Sequence, residues 1–249
     1  MKNIDLSIRM KAVADMTVTG HTVADIGCDH AFVPIYLIKN KISSHVIASD
    51  VRSGPCDIAR RNIDAYGLSD VIDLRLGDGL DTIEEGEADT IIIAGMGGML
   101  INSILDKGYK VAASAKQLIL QPQSDIDKVR NHILDKGWTI VSEDMLVDMG
   151  KYYTILNIAT NPVEFDYKVR RADENLTDLK KAYLKYGRYL IEHGNPVLKE
   201  YLLGKRAANQ KLILSLHHSD SEKSRLRYEE LLSEQKVIDA ALELITSHT

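Results

Sequence analysis

The sequence has 249 residues, 45% of them hydrophobic, and carries a formal net charge of -5. A chain of this size can bury a sizeable core, and we expect two structural units. It contains no apolar run near the roughly 18 residues that span a bilayer and no signal-peptide apolar region, so we expect a soluble, cytoplasmic protein. Cys28 and Cys56 lack the spacing of a disulfide framework or a zinc site, so we predict no metal.

Short apolar runs alternate with helical patterns through the first 160 residues. This alternation predicts an α/β fold with a mostly parallel, Rossmann-like sheet. The predicted strands, in chain order, are TVADI, HVIASD, VIDLRLGD, TIIIAG, QLILQP, WTIVSEDMLV and YYTILNIAT. Only DMGK separates the last two strands, which predicts an antiparallel hairpin because a parallel crossover needs a dozen or more residues. A parallel sheet that ends in a hairpin is typical of class I methyltransferases.

The remainder of the chain has no strand-like run and predicts a second, all-helical domain. Apolar and aromatic residues recur there at alternating spacings of three and four, which is typical of coiled-coil seams. The two series are Leu176, Leu179, Tyr183, Tyr186 and Leu190, then Tyr228, Leu231, Gln235, Ile238, Leu242 and Ile245. We therefore predict an α/β domain at residues 1–160 and a coiled-coil-like domain at 161–249. Residues 168–211 hold 11 basic against 5 acidic residues, a net charge of +6 that suits a polyanionic partner.

The loop after the first predicted strand, DIGCDHA, has the position of a nucleotide-binding loop but lacks its second and third glycines. Gly27 permits a tight turn, whereas the carboxylate of Asp29 would repel a pyrophosphate. The loop therefore favours a cofactor without phosphates and with a positive charge, such as S-adenosylmethionine. The alternative is that Asp29 caps the following helix.

Further polar residues and glycines stand at the ends of the next four predicted strands, where an open parallel sheet binds its ligands. Asp50 has the spacing of a ribose-binding acid, and Asp78, between two glycines, can accept a hydrogen bond from an exocyclic amine. The alternative role of Asp50 is to cap a helix, and the alternative role of Asp78 is to form an ordinary Asp-Gly turn. The sequence GMGG (residues 95–98) favours close ligand approach over tight packing alone, and Gln121 adds an amide at the same edge.

The stretches VADIGCDHAFVPIYL, ASDVRSGP, LGDGL, IAGMGGMLI and LILQP, in this order and spacing, resemble the bacterial tRNA adenine-N1 methyltransferases that modify adenosine 22. The resemblance covers essentially the whole chain, with mild departures at Cys28 and Phe32. It implies that the Rossmann-like domain binds S-adenosylmethionine and that the helical domain helps to hold tRNA. The cofactor-binding residues that we predict are Gly27, Asp29, His30, Asp50, Val51, Asp78, Gly79, Gly95, Met96 and Gly97.

Methylation of adenine N1 assigns a role to Asp29. N1 is neutral and attacks without prior deprotonation, but the product ring is cationic, so a carboxylate near the ring edge stabilises the developing charge. We predict that Asp29 is the catalytic residue; the alternative is that it contacts the methionine portion of the cofactor. The predicted substrate-binding residues are Arg9, Gly98, Gln121, Arg170, Arg171, Lys180, Lys181 and Arg188.

Two other functions stay open at this point. A methyltransferase of a small molecule or a protein would use the same cofactor edge, although the basic helical segment argues against it. A non-catalytic RNA-binding protein on the same fold would keep the basic segment but transfer no methyl group. We expect a monomer.

Overall fold

The structure is a computed structural model that describes residues 4–161, 177–216 and 221–247. The described residues divide into two compact units. The elements of the first unit are α1 (Ile8–Asp15), β1 (Val23–Ile26), α2 (Phe32–Lys39), β2 (Val46–Asp50), α3 (Ser53–Ala65), β3 (Ile72–Leu76), a 3₁₀ turn (Gly79–Thr82), β4 (Thr90–Met96), α4 (Gly98–Lys107), α5 (Tyr109–Ser114), β5 (Gln117–Pro122), α6 (Ile126–Asp135), β6 (Thr139–Asp148) and β7 (Lys151–Ala159).

The strands form one sheet in the order β3-β2-β1-β4-β5-β7-β6. Strands β1 to β5 pair in parallel, and β7 runs antiparallel to β5. Met149 and Gly150 connect β6 to β7 with φ values of 49° and 77°, which are the left-handed conformations of a two-residue hairpin turn. The predicted Rossmann-like sheet with a terminal hairpin is confirmed. The strand order reverses between β1 and β4, which is where such sheets bind their ligands.

The central strand β4 shows why the predicted strands read as continuous apolar runs. Ile91, Ile92 and Ile93 are all fully buried. Successive side chains of a strand point to opposite faces, so Ile91 and Ile93 join one core cluster while Ile92 joins the cluster on the other face. Because helices cover both faces of the sheet, no polar alternation is needed along this strand.

The helices of the second unit are α7 (Asp178–Tyr186), α8 (Arg188–Glu192), α9 (Pro196–Leu216) and α10 (Glu222–Ser247), and Glu143–Met145 of β6 are grouped with them. Its core includes Leu190 of α8, Leu202 of α9, and Ile238 and Ile245 of α10. The predicted helical region is therefore confirmed. No described helix is long and apolar enough to cross a membrane.

The described part of the first predicted seam, Leu179 to Leu190, is divided between two helices, α7 and α8. Gly187 has a φ of 96°, which ends α7 and lets α8 start in a new direction. Leu176 lies outside the described residues, as do residues 162–175 next to the domain boundary predicted between 160 and 161. That boundary stays a prediction.

Gly98, at the start of α4, provides a close backbone contact between two crossovers of the sheet. Its N–H donates to the carbonyl oxygen of Ser124 over 3.1 Å. A Cβ atom at this position would stand 2.5 Å from that oxygen and 2.9 Å from the carbonyl oxygen of Asp125. Both neighbours are backbone atoms, so tight packing accounts for this glycine of the GMGG sequence.

We expect Gly98→Ala to lower the free energy of unfolding by about 1–3 kcal/mol, because the added methyl group displaces the β5–α6 loop. Gly54→Ala is the matched control. Gly54 lies in α3, and no atom of the described residues stands within 4 Å of its would-be Cβ, so we expect stability to stay unchanged or to rise by up to about 1 kcal/mol. Urea denaturation measures both. Equal stabilities for the two variants would contradict this account of Gly98.

Candidate active site

A cleft of about 710 Å³ opens at the carboxyl ends of β1 to β4. It extends to residues at the start of α1 and just before it, from Asp5 to Met10. Ten predicted site residues line it, namely Arg9, Gly27, Asp29, His30, Asp50, Val51, Asp78, Gly79, Gly95 and Met96. Gly97, Gly98 and Gln121 do not line it. Lys180, Lys181 and Arg188 belong to the helical unit, and Arg170 and Arg171 lie outside the described residues.

The loop after β1 adopts left-handed backbone conformations at two residues that are not glycine. Gly27, Asp29 and Ala31 have φ values of 76°, 51° and 60°, so left-handed residues alternate along the loop. Asp is one of the few non-glycine residues that adopts this conformation readily. Ala31, and not Asp29, is the N-cap residue of α2, and it makes no side-chain capping bond. The helix-capping alternative for Asp29 is therefore excluded.

Asp50, at the end of β2, ties this loop to the loop after β2. The residue is only 4% exposed. One carboxylate oxygen accepts the backbone N–H of Asp29 over 3.2 Å, and the other accepts the backbone N–H of Arg52 over 2.9 Å. Nε of Arg52 also donates to this carboxylate over 3.4 Å. A carboxylate has about four acceptor positions, so Asp50 retains capacity for a ligand hydroxyl.

The side chain of Asp29 points away from these bonds and is 61% exposed. Its carboxylate lies 3.8 Å from Nε2 of His30 and 3.9 Å from the guanidinium of Arg52. The ring of Phe32 stands edge-on to His30, with 5.9 Å between the ring centroids. Phe32 also lines the cleft. Asp29 is thus held by weak, solvent-exposed pairs that a ligand can replace.

Asp25, in β1, is a cleft residue that the sequence reasoning missed. It is 4% exposed, and no hydrogen bond or ion pair to its carboxylate forms among the described residues. Burial, with a smaller contribution from the charge of Asp50, raises the pKa of Asp25 to about 7. The signal was present in the sequence, because a charged residue inside the apolar run TVADI is costly unless it has a partner.

Cys28 is buried under the same loop. Burial first, and then the nearby charges of Asp25 and Asp50, raise the pKa of its thiol well above the usual range. The thiol is therefore protonated at physiological pH.

At the β3 side of the cleft, Asp78 pairs with Lys107 of α4 over 2.9 Å. The following Gly79 has a φ of 56°, and its would-be Cβ would stand 3.2 Å from Ile104. The pair is solvent-exposed, so a hydrogen-bonding ligand can compete with Lys107 for Asp78 at little cost.

At the opposite side, Arg9 of α1 projects over the end of β4. Its Nη1 donates to Oε1 of Gln121 over 2.6 Å, and the backbone N–H of Gly95 donates to the same oxygen over 3.2 Å. Gln121 is completely buried, which explains why it does not reach the cleft. The exposed Gln123 also lines the cleft beside Gly95.

The charge of the cleft is predominantly negative. Among the described residues, it is lined by the carboxylates of Asp5, Asp25, Asp29, Asp50 and Asp78 and by two guanidinium groups, Arg9 and Arg52. No group of three or more His, Cys, Asp or Glu residues in the described part of the chain could hold a metal ion. The donor set suits an organic cation. Asp5 and Arg52 had no distinct signal in the sequence, because only the folded chain brings α1 and the β2 loop to this edge.

The helical unit is less basic on its surface than the linear charge count predicts. Lys185 and Lys205 both pair with Glu234 of α10, over 2.7 Å and 3.1 Å, and Arg206 pairs with Asp239 over 2.9 Å. Burial opposes ionisation of Glu234, but hydrogen bonds from the two lysines outweigh it and lower its pKa to about 2. The acidic last helix thus neutralises part of the basic segment.

Lys181 and Arg188, two predicted tRNA contacts, also have local partners. Lys181 lies 3.3 Å from Asp178, and Arg188 lies 2.6 Å from Glu192. These pairs are within one turn of their own helices and exposed or half-buried, so they contribute little stability.

Residues 6–156 match the family model described as a methyltransferase domain. The chain is 39% identical over 156 residues to the tRNA (adenine(22)-N(1))-methyltransferase of Bacillus subtilis strain 168, a match that covers 63% of this chain and 66% of that relative. Its matches to three curated relatives, the other two from Mycoplasma, span between 61% and 66% of their lengths.

Solved structures extend the similarity to the helical unit. The crystal structure of the B. subtilis m1A22 tRNA methyltransferase TrmK is 30% identical with a TM-score of 0.81, covering 96% of this chain and all of that chain. A Streptococcus pneumoniae protein described as a putative tRNA (m1A22) methyltransferase, in complex with S-adenosyl-L-methionine, is 30% identical with a TM-score of 0.78 over the same shares. The chain therefore belongs to the methyltransferase-domain family and, within it, to the tRNA (adenine(22)-N(1))-methyltransferases.

Proposed function

We propose that this protein transfers a methyl group from S-adenosylmethionine to N1 of adenosine 22 in tRNA. The observation that carries the proposal is the acidic cleft at the point where the strand order reverses, where the described part of the chain places five carboxylates and two guanidinium groups. Such a site attracts a cationic ligand and repels the pyrophosphate of a dinucleotide. The position of the target in the tRNA is supported by the relatives and not by the cleft.

The residues at the β1 to β3 side of the cleft fit S-adenosylmethionine. Asp25 offers a buried carboxylate that has no hydrogen-bond or ion-pair partner in the described part of the chain, which suits a positively charged portion of the ligand. Asp50 retains acceptor capacity for ribose hydroxyls, and Asp78 can accept from an exocyclic amine once it exchanges Lys107 for the ligand. Val51 and Ile104 provide apolar surface between these groups for a flat ring.

The target base fits the other side of the same cleft. Neighbouring strands are about 4.8 Å apart, so the ends of β3 and β5, four strand spacings from each other, are separated by roughly 19 Å. That distance leaves room for a second ligand over β4 and β5, beside Gly95 and Gln123. The adenine must leave its stack in the tRNA to reach this place, as happens in other enzymes that act on a base.

Catalysis then rests on position and charge. S-adenosylmethionine supplies an electrophilic methyl group on a sulfonium. The chain does not have to remove a proton from N1 before the attack, because N1 carries a free lone pair, so its main task is to align the two reactants. We propose that the exposed carboxylate of Asp29 faces the adenine edge, stabilises the positive charge that develops on the ring and accepts a hydrogen bond from the N6 amino group.

The helical unit has no assigned role in this proposal. Its basic residues are partly paired with acidic residues of α10 and of their own helices. Binding of tRNA by Lys180, Lys181 and Arg188 stays a prediction, as it does for Arg170 and Arg171.

The proposed reaction is tested by incubating the purified protein with labelled S-adenosylmethionine and unmodified tRNA, followed by mass spectrometry of the tRNA nucleosides. We expect 1-methyladenosine, and we expect it to disappear when adenosine 22 is replaced by guanosine. Cofactor binding without RNA methylation would instead indicate a small-molecule or protein methyltransferase. RNA binding without cofactor binding would indicate a non-catalytic protein.

The raised pKa of Asp25 predicts a pH dependence of cofactor binding. In the free protein its pKa is about 7, so the carboxyl group is about half protonated at pH 7. A bound cation favours the ionised form and lowers the pKa, so binding releases up to about half a proton and affinity rises as the pH increases from 6 to 8. Calorimetry in two buffers of different ionisation enthalpy measures the released proton.

The Asp25→Asn variant separates this effect from titration of the cofactor itself. We expect it to bind more weakly at pH 8 and to lose the part of the proton release that belongs to the protein. Identical proton release in the variant and in the wild type would show that Asp25 does not face the cofactor's charge.

We expect Asp29→Asn to lower the rate of a single methylation turnover by about 10- to 100-fold, because the variant loses the negative charge near the ring. Asn also tolerates the left-handed backbone, so the loop and the cofactor affinity should change little. Asp81→Asn is the control, since Asp81 is a surface acid near Lys107 that does not line the cleft. A wild-type single-turnover rate in Asp29→Asn would remove Asp29 from the mechanism.

A further inference from the structure

Arg9 is fixed at the target-base side of the cleft by contacts from three elements. Its backbone N–H donates to the carboxylate of Asp148 over 3.3 Å, and its guanidinium lies 5.1 Å from the ring centroid of Tyr153. Its Nη1 donates to Gln121 over 2.6 Å. A long, flexible side chain that is held at both ends has already lost most of its rotamer freedom before a ligand arrives.

Gln121 is placed to set the position of this guanidinium. Its side chain is completely buried, and its Oε1 accepts both from Arg9 and from the backbone N–H of Gly95, at the end of β4. One amide oxygen therefore locks Arg9 to the backbone of the strand that ends beneath the target base. A buried acceptor between two donors is also costly to remove, because both donors would lose their partner.

The charge of Arg9 limits what it can contact. Methylation of N1 leaves a cationic adenine ring, and the methyl donor is itself cationic, so a fixed guanidinium against the ring edge would oppose the reaction. An RNA phosphate is the anionic part of the same nucleotide, and a guanidinium binds phosphate with two parallel N–H bonds. Arg9 has further N–H groups besides the one bound to Gln121.

We propose that Gln121 is a positioning residue that presents Arg9 to a phosphate adjoining the target adenosine. This inference rests on the proposed function and adds to it the contact that holds the extruded nucleotide in the cleft. It also changes the role of Gln121 from the direct substrate contact predicted from the sequence to support of a neighbouring residue.

The test is a double-mutant cycle of Arg9→Met, Gln121→Met and the double variant. KM for tRNA and kcat are measured across a salt series, and cofactor affinity is measured by calorimetry. We expect Arg9→Met to raise the KM for tRNA by about 10- to 100-fold and to reduce the salt slope of log K by about 0.7–0.9, the value for one phosphate contact. Gln121→Met should raise the KM in the same direction and leave cofactor affinity unchanged, and it should add nothing in the Arg9→Met background.

Two further variants keep the result interpretable. Lys11→Met removes a neighbouring charge of α1 that does not line the cleft, and it should leave the KM unchanged. If Gln121→Met does not unfold cooperatively, Gln121→Glu replaces it. Glu keeps an acceptor for Arg9 and Gly95 but cannot donate to the carbonyl oxygen of Pro122 and adds a negative charge beside the guanidinium, so its KM should lie between those of the wild type and Arg9→Met.

Three results would overturn the proposal: an unchanged KM in Gln121→Met, additive effects in the double variant, or a KM in Gln121→Glu as high as that in Arg9→Met. A parallel loss of cofactor affinity in Gln121→Met would also overturn it, since that would indicate a general structural role. Failure of the proposed function appears separately, as absence of methylation by the wild-type protein. Dissociation constants for tRNA across the salt series would then still report whether Arg9 contacts phosphate and whether Gln121 acts through it.

Discussion

The buried carboxylate of Asp50 makes the hydrogen bonds on which the shape of the cleft depends. It accepts backbone N–H groups from the loop after β1 and from the loop after β2, and so fixes Asp29 and Arg52 relative to each other. Those bonds stabilise a loop in which Asp29 and Ala31 both have left-handed backbone conformations, which alanine disfavours. Its charge also contributes to the raised pKa of Asp25. One side chain thus links the two loops of the proposed cofactor side and adds to the electrostatic effect that burial has on Asp25.

The two sides of the cleft differ in how they are built. Around Asp25, Asp29 and Asp50 the protein offers carboxylates, which suit positive charge on a donor and on a product ring. Around Gly95 it offers a guanidinium held by a buried amide, which suits the negative charge of a nucleic acid backbone. This separation lets one cleft take a cation and a polyanion without placing like charges in contact.

Much of the fold could be predicted from the sequence because its signals are local. The apolar runs of β1 to β7 and the short connection before β7 specify the sheet and its hairpin with little help from tertiary contacts. The break at Gly187 was missed because a single glycine can also be tolerated within a helix, and only the packed unit shows its left-handed conformation.

The residues of the candidate site likewise include some that the sequence predicted and some that it did not. Gly27, Asp50 and Asp78 were found because they follow strands whose ends meet at one edge of a parallel sheet. The complete burial of the Gln121 side chain was not predictable, because the side chain of a strand-end residue points either into the cleft or away from it. The partners that α10 supplies to Lys185, Lys205 and Arg206 lie at least 29 positions away in sequence, so no local charge count reveals them.

The protonated state of Cys28 has a consequence for chemical modification. Reagents that alkylate or oxidise cysteine react with the thiolate, and the burial and acidic neighbours of Cys28 suppress that form. The same carboxylates that favour a sulfonium therefore protect the thiol beside it from electrophiles. An inhibitor of this cleft would gain more from a positive charge than from a thiol-reactive group.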